Sequence, residues 1–111
     1  MRKTINIAGK DVALKATAST IRKYRAWFGR DLLADFQKIQ KTSVESTDVT
    51  SEVIDIIEYL TYTMARQADP SIPEIDDWLD SFDTFPIQDF AFDVIQLWAE
   101  SLQIKIELKN V

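Results

Sequence analysis

The sequence predicts an α+β fold that is mainly α-helical, with an N-terminal β-hairpin followed by about five helices. Apolar residues alternate with polar ones over residues 4–16, recur at helical spacing over residues 19–101, and alternate again over residues 102–111. The chain of 111 residues, 46% of them apolar, is long enough to bury one modest core. We therefore expect a single domain over residues 1–111, made of a hairpin (1–17), a helical body (19–101) and a strand or flexible tail (102–111).

Alternation on both sides of a turn predicts the hairpin. Ile5 and Ile7 alternate with polar residues, and Val12 and Leu14 do the same beyond a turn at residues 8–11. A two-stranded ribbon is marginal in water on its own. This one must therefore lie on helices or pair with another strand.

Two short helices are predicted next, and each has a recognisable boundary. Ser19 or Thr20 caps the first helix, and Gly29 suits the position after its end. Asp31 caps the second helix, which ends near Lys41. The first helix turns three apolar residues inward and three cations outward: Ile21, Tyr24 and Phe28, and Arg22, Lys23 and Arg25. The second helix is expected to bury four apolar residues: Leu32, Leu33, Phe36 and Ile39.

The clearest periodicity belongs to a long helix that begins at Thr50 or Ser51 and ends near Gln67. Its apolar residues follow the i, i+3, i+4, i+7 pattern: Val53, Ile56, Ile57, Leu60 and Met64. Residues 42–50 before this helix are rich in serine and threonine and lack periodicity, which predicts a flexible loop.

Prolines divide the remaining helical part in two. Residues 68–73 form a turn, because the residue before a proline is pushed out of helical geometry. A short helix from Pro73 to Phe82 turns four apolar residues inward: Ile75, Trp78, Leu79 and Phe82. A last helix from Pro86 to Ser101 does the same with five: Ile87, Phe90, Val94, Leu97 and Trp98. The alternation after residue 101 then predicts a C-terminal strand that joins the hairpin or a neighbouring subunit.

Missing residue types exclude several kinds of site. The chain has no cysteine and no histidine, which removes disulfides, thiol nucleophiles, the usual zinc ligands and the commonest general base. Its two glycines cannot build a phosphate-binding loop. Lys10, Asp11 and Lys15 interrupt any signal sequence, and no apolar run approaches the roughly 20 residues that span a bilayer. We expect a soluble, intracellular, non-enzymatic protein that uses no metal and no cofactor.

Charge is divided unequally along the chain. Residues 1–41 hold ten basic and three acidic residues, whereas residues 42–104 hold one basic and fourteen acidic residues. The two parts should attract each other within a subunit or between subunits. A nucleic-acid contact through the basic helix is secondary, because the whole chain carries −5 and the remaining surface repels phosphate.

Residues 67–104 combine nine carboxylates with six of the twelve aromatic residues and contain no lysine or arginine. Five of the carboxylates form a cluster: Glu74, Asp76, Asp77, Asp80 and Asp83. No glycine there provides the turn that calcium loops use, so a solvated helix face is the preferred interpretation. Trp27, Phe85 and Phe92 lie off the apolar helix faces. Exposed aromatics rimmed by acid mark protein contacts, and the competing interpretation is that the core uses all of them.

Several stretches, in their order and spacing, carry a likeness to a known family. The longest is residues 64–85, MARQADPSIPEIDDWLDSFDTF. Shorter ones are KTI at 3–5, KATAST at 15–20, YR at 24–25, FGRD at 28–31 and LW at 97–98. Together they span most of the chain, which resembles the tail assembly chaperones of long-tailed phages and prophages of Gram-positive bacteria.

The resemblance implies a small protein of the host bacterial cytoplasm that acts during tail assembly and is absent from the mature virion. Such chaperones are thought to coat the tape measure protein, keep it soluble and bring tail tube protein to it. They commonly occur as a short form and a longer frameshifted form, and this chain would be the short one. The expected partners are therefore the tape measure protein, tail tube protein, further copies of the chain and its longer form, without nucleic acid or membrane. The alternative is an acidic protein-binding inhibitor or DNA mimic encoded by a phage.

Aromatic, acidic and basic residues are expected to share the binding. Four aromatic residues supply apolar anchors: Trp78, Phe82, Phe85 and Phe92. Three acids among them keep the complex soluble: Asp77, Asp80 and Asp83. Four cations meet acids of a neighbouring subunit: Arg22, Lys23, Arg25 and Arg30. Unlike surfaces on one molecule favour head-to-tail association into a homo-oligomer.

Overall fold

The computed structural model describes residues 1–41 and 50–103. Within them an antiparallel hairpin precedes five helices, which confirms the predicted α+β, mainly helical fold. In chain order the elements are β1 (Arg2–Ile7), β2 (Lys10–Lys15), α1 (Thr20–Phe28), α2 (Leu32–Lys41), α3 (Ser51–Ala68), α4 (Ile75–Asp80) and α5 (Ile87–Ser101). Most of the predicted loop (42–49) and residues 104–111 of the predicted strand lie outside the described residues. Leu102 and Gln103 form the turn that ends α5.

Helix α3 lies at the centre of the fold and contacts β2, α1, α2 and α5. All five residues of its predicted apolar face are buried: Val53, Ile56, Ile57, Leu60 and Met64. Thr50 caps its start, since the threonine hydroxyl accepts a 3.2 Å hydrogen bond from the Val53 N–H. Residues 60–65 are all buried, so the second half of α3 is surrounded by other elements.

The hairpin rests on the helices, as its marginal stability requires. Ile5 pairs with Val12 across the ribbon, and both side chains are buried. The strand β2 packs mainly on α3, and β1 packs on α5. Ala8 and Gly9 make the two-residue turn, and both have positive φ (51° and 87°), as a type I′ turn demands.

The face that α2 buries differs from the predicted one. Leu33 is 47% exposed, whereas Asp35 is only 3% exposed. Leu33 lies about 100° around the helix from Leu32, while Asp35 falls beside the stripe that Leu32, Phe36 and Ile39 form. The prediction that Leu33 is a core residue was wrong, and an acid takes part in the core instead.

Two hydrogen-bond donors make the burial of Asp35 tolerable. The Asp35 carboxylate accepts hydrogen bonds from the Tyr24 hydroxyl at 2.7 Å and from Arg30 at 2.8 and 2.9 Å. Burial by itself raises the pKa of Asp35, but the hydrogen bonds from Arg30 and Tyr24 outweigh it and lower the pKa. Burial and the bond to Asp35 raise the pKa of Tyr24. The group ties α1 to α2, and Arg30 also approaches Glu52 of α3 at 3.8 Å.

A second polar group joins the base of the hairpin to the end of α3. The Thr20 hydroxyl donates to the Gln67 side-chain oxygen at 2.6 Å, and the Gln67 amide donates to the Thr17 hydroxyl at 3.1 Å. Helix α1 begins at Thr20 as predicted, but Ser19 at its N-cap makes no side-chain cap bond. Asp31 does cap α2, accepting a 3.0 Å hydrogen bond from the Leu33 N–H.

Replacing Gly29 with alanine should lower the free energy of unfolding by about 1 kcal/mol. Gly29 has φ +65° at the end of α1, and nothing lies within 4 Å of an added Cβ, so the cost is that of the left-handed backbone alone. Urea unfolding measures it. Gly29→Asn is the control and should lose less, because asparagine tolerates this conformation; an equal loss would contradict the backbone explanation.

Replacing Asp35 with asparagine should lower the free energy of unfolding by about 2 kcal/mol at neutral pH, because charged hydrogen bonds inside the fold are weakened. The folded pKa of Asp35 lies below the ordinary value of 3.8. The carboxylate therefore stabilises the fold above that value, and the stabilisation is lost as the pH falls below it. Urea unfolding of the wild type and the variant at several pH values checks this. The difference between their free energies of unfolding should shrink in acid. A constant difference would exclude a role for the charge.

Candidate protein-binding surface

The α4 segment, residues 69–86, joins α3 to α5 and contains all three prolines of the chain. Helix α4 inside it has six residues and no side-chain cap bond. A helix this short is unstable by itself, so tertiary contacts must fix it. One contact is polar, because the Tyr62 hydroxyl donates a 2.6 Å hydrogen bond to the carbonyl oxygen of Pro73.

Aromatic rings also fasten the α4 segment to its neighbours. The ring of Trp78 lies 5.6 Å from that of Tyr62 on α3 and 5.1 Å from that of Phe82. Phe85 lies 5.9 Å from Trp78 and 5.0 Å from Phe90 on α5. All are edge-on pairs at distances typical of stable aromatic packing. We call these five residues the aromatic cluster; it fastens the α4 segment to α3 and α5.

The four predicted anchor residues occupy different depths. Trp78 is only 6% exposed and belongs to the core, so the expectation that it offers a surface contact has to be corrected. Its indole is enclosed because it fills the space between α3 and the rest of the α4 segment. Phe82 and Phe85 are half-buried. Phe92 is 45% exposed, on the outer side of α5.

Phe92 makes no aromatic pair among the described residues. Its helical neighbours one turn away are Gln88, Asp89, Ile95 and Gln96, of which only Ile95 is apolar, and Ile95 is buried. Moving such a ring from water into an apolar contact would be favourable by about 2 kcal/mol, yet the fold leaves Phe92 almost half exposed to solvent. Phe92 is thus the clearest candidate for an apolar contact with another protein.

Trp27, which also lies off its predicted helix face, contacts other residues of the same chain. Its ring lies 6.3 Å from that of Tyr62, and the Arg66 guanidinium lies 4.8 Å from the ring centre. Arg66 is the single cation of residues 42–104, and the sequence analysis assigned it no contact. No local pattern links it to Trp27, which lies 39 positions earlier in the chain.

Carboxylates on α3 and α4 form a surface of one sign. Its members have no cationic partner among the residues that the structure describes, and we call them the acidic surface: Asp55, Glu58, Asp76, Asp77 and Asp80. Burial raises the pKa of Glu58, and the charges of Asp55 and Asp76 raise it further. Asp83, also predicted to take part, is exposed beyond the end of α4. Asp55, Glu58 and Asp76 therefore lie close enough together for their charges to interact.

The hairpin tip supplies a cation to the α4 segment. The Lys10 ammonium lies 4.8 Å from the centre of the Phe82 ring and donates a 3.2 Å hydrogen bond to the Ser81 carbonyl. Both are favourable contacts that cover one side of Phe82. The sequence places Lys10 in the hairpin turn, and no local pattern shows that it reaches Ser81, 71 positions away.

The four predicted basic contact residues separate into two kinds. Arg30 forms its ion pair with Asp35 inside the chain, so it is not free for a neighbour as expected. Arg22 and Arg25 are exposed and Lys23 is half-buried, and none of the three has an ion-pair partner in the described part of the chain. Their role in binding stays a prediction.

No group of three or more acidic residues in the described ranges has the arrangement of a metal site. No helix within them is long and apolar enough to cross a membrane. What the described surface does combine is an exposed aromatic ring, two half-buried ones and unpaired charge of both signs. Such a surface can offer apolar anchors and electrostatic selectivity to a protein partner.

Replacing Lys10 with glutamine should loosen the α4 segment without unfolding the protein. An exposed cation–π contact is worth about 0.5 kcal/mol, so opening should become roughly twofold more frequent. Hydrogen exchange at the amides of Trp78 and Ser81, which bond to Glu74 and Trp78 carbonyls, measures this. Lys15→Gln is the matched control, since Lys15 has no ion-pair partner among the described residues; equal acceleration in both would contradict a specific contact.

Comparison of the chain with protein-family models, with curated protein sequences and with solved structures finds no match.

Proposed function

We propose that the protein is a phage tail assembly chaperone, which binds the tape measure protein, keeps it soluble and recruits tail tube protein during tail assembly. The observation that carries this proposal is Phe92, a 45% exposed ring on the outer side of α5. The sequence likeness over residues 64–85 supplies the identity of the client. That stretch contains the whole of α4.

The chemistry of the surface suits an apolar helical client. A tape measure protein before assembly exposes long apolar helical stretches that aggregate. A chaperone for it needs apolar anchors and a charged exterior that keeps the complex in solution. Phe92 provides an exposed anchor on α5, and the half-buried Phe82 and Phe85 add apolar surface at the α4 segment. The carboxylates of the acidic surface provide the charge.

The attachment of the α4 segment is also compatible with client binding. It depends on the aromatic cluster, on the Tyr62 bond to Pro73 and on Lys10 at the hairpin tip. Displacement of the segment would uncover the rings of Trp78 and Phe90, both of which are buried. An apolar client helix could then occupy the same contacts, as helices do in hydrophobic grooves.

Replacing Phe92 with serine should weaken client binding by roughly tenfold, the effect of losing one modest interface anchor. The probe is a set of overlapping peptides from the tape measure protein encoded in the same gene cluster, and fluorescence anisotropy measures their affinity. Because Phe92 is exposed, the free energy of unfolding should change by less than about 0.5 kcal/mol.

Leu33→Ser is the matched control, since Leu33 is 47% exposed on α2 and belongs to no part of the proposed surface. It should leave the affinity unchanged. Absence of binding by every peptide would overturn the chaperone proposal. Binding to a nuclease or a repressor in its place would support the inhibitor or DNA-mimic alternative, which the unpaired carboxylates of the acidic surface favour.

A further inference from the structure

Arg66 is held by two aromatic residues, yet it has no carboxylate partner among the described residues. Its guanidinium carbon lies 4.8 Å from the centre of the Trp27 ring, and its Nη1 donates a long 3.5 Å hydrogen bond to the Tyr62 hydroxyl. Arg30 shows the usual alternative, because its guanidinium donates two hydrogen bonds to the Asp35 carboxylate. Arg66 has the same donors, but within the described ranges only the Tyr62 oxygen accepts from them.

The contacts of Arg66 fix its position before any ligand arrives. Trp27 on α1 and Tyr62 on α3 pack edge to face at 6.3 Å, and the Tyr62 hydroxyl is anchored by its bond to the Pro73 carbonyl. Trp27 and Arg66 are both half-buried, so part of each remains in contact with solvent. A guanidinium that is already immobilised loses little further entropy when its two-pronged edge binds an acid. The arrangement is thus a preorganised site for one planar anion.

A second cation lies on the same side of α1. The Thr20 hydroxyl bonds to Gln67 near the end of α3. Because Trp27 contacts Arg66 in the same region, this side of α1 faces the last turns of α3. Lys23 falls between Thr20 and Trp27 at helical spacing, is half-buried, and has no ion-pair partner in the part of the chain that the structure describes. Two positive charges therefore lie beside one aromatic ring.

The acid nearest to Arg66 in the sequence is already engaged. Asp69 caps the end of α3, and its carboxylate accepts hydrogen bonds from the Ser71 N–H at 3.0 Å and the Ser71 hydroxyl at 2.6 Å. No ion pair joins Asp69 to Arg66 in the described ranges. The charge of Arg66 is thus left for an anion from outside the chain.

We propose that Trp27, Arg66 and Lys23 form a binding site for a carboxylate of a partner protein, in a segment where an apolar side chain adjoins the acid. Arg66 donates two parallel hydrogen bonds to the carboxylate, Lys23 adds the second positive charge, and the free part of the Trp27 ring contacts the apolar neighbour. One guanidinium and one ammonium match a single acidic group. A nucleic-acid strand presents a phosphate at every nucleotide and would be repelled by the −5 net charge of the chain, so a protein acid is the better match. The site lies on α1 and α3, whereas Phe92 lies on α5, and the proposal does not depend on the chaperone role.

A pair of peptides tests the site on the wild-type protein. Acetyl-Leu-Glu-amide carries the acid beside an apolar side chain, and acetyl-Leu-Gln-amide is its neutral counterpart. NMR titration follows the indole N–H of Trp27 and the Nε–H of Arg66. The acidic peptide should shift both signals saturably, with a dissociation constant on the order of 1 mM, and the neutral peptide should bind roughly tenfold more weakly.

Arg66→Lys keeps the charge but removes the two-pronged donor, so the affinity for the acidic peptide should fall roughly tenfold. Arg25→Lys is the matched control, because Arg25 is exposed on α1 and outside the site, and it should leave the affinity unchanged. The comparison of the two peptides on the wild type stands even if Arg66→Lys is less stable. Equal binding of both peptides, no saturable shift with either, or an equal loss in the two variants would each overturn the proposal. Tighter binding of a thymidine hexanucleotide at the same two signals would overturn it as well.

Discussion

The burial of α3 is the constraint on which the rest of the structure depends. A chain of 111 residues has room for one core, and α3 passes through the middle of it. The hairpin needs a helix beneath its apolar face, and α3 provides it. Helices α1, α2 and α5 pack on the same helix. Tyr62 of α3 also contacts the α4 segment, because its ring packs against Trp78 and its hydroxyl donates to the Pro73 carbonyl. Most elements therefore take their position from what they contact on α3, and β1 follows through β2 and α5.

Local sequence patterns predicted the helices and strands, but not in every case which face of a helix is buried. The periodicity of α3, the hairpin alternation and the proline positions each depend on neighbours in sequence, and the structure confirms them. The burial of Asp35 depends on Tyr24 of α1 and on Arg30 in the connection before α2, so the apolar pattern of α2 alone wrongly favoured Leu33. The candidate site shows the same limit. The periodicity of α4 predicts Trp78 on the inward side, and the structure buries it beside Tyr62. Position off the apolar faces did not decide exposure, since Phe92 is exposed whereas Trp27 and Phe85 are half-buried.

The basic first part and the acidic second part of the sequence are only partly separated in the folded molecule. Lys3, Arg30 and Lys38 meet acids of the second part of the chain or of α2, which accounts for some of the attraction between the halves. Many other charges have no ion-pair partner among the described residues, including Arg22 and Arg25 of α1 and the carboxylates of the acidic surface. The result is a molecule with a compact apolar interior and a polar exterior of strongly uneven sign. Such an exterior selects partners by charge at long range and leaves close contact to a few apolar groups.

The pairing of the first strand with the last helix also determines when the protein can fold during its synthesis. Lys3 and Asp93 are 90 positions apart, and Lys10 and Ser81 are 71 apart. The hairpin leaves the ribosome first, but the helices that cover Ile5 and Ile7 follow much later. Contacts so distant in sequence slow folding and leave apolar surface open in the meantime. Translation must therefore proceed through α5 before the earliest residues of the chain gain their place in the core.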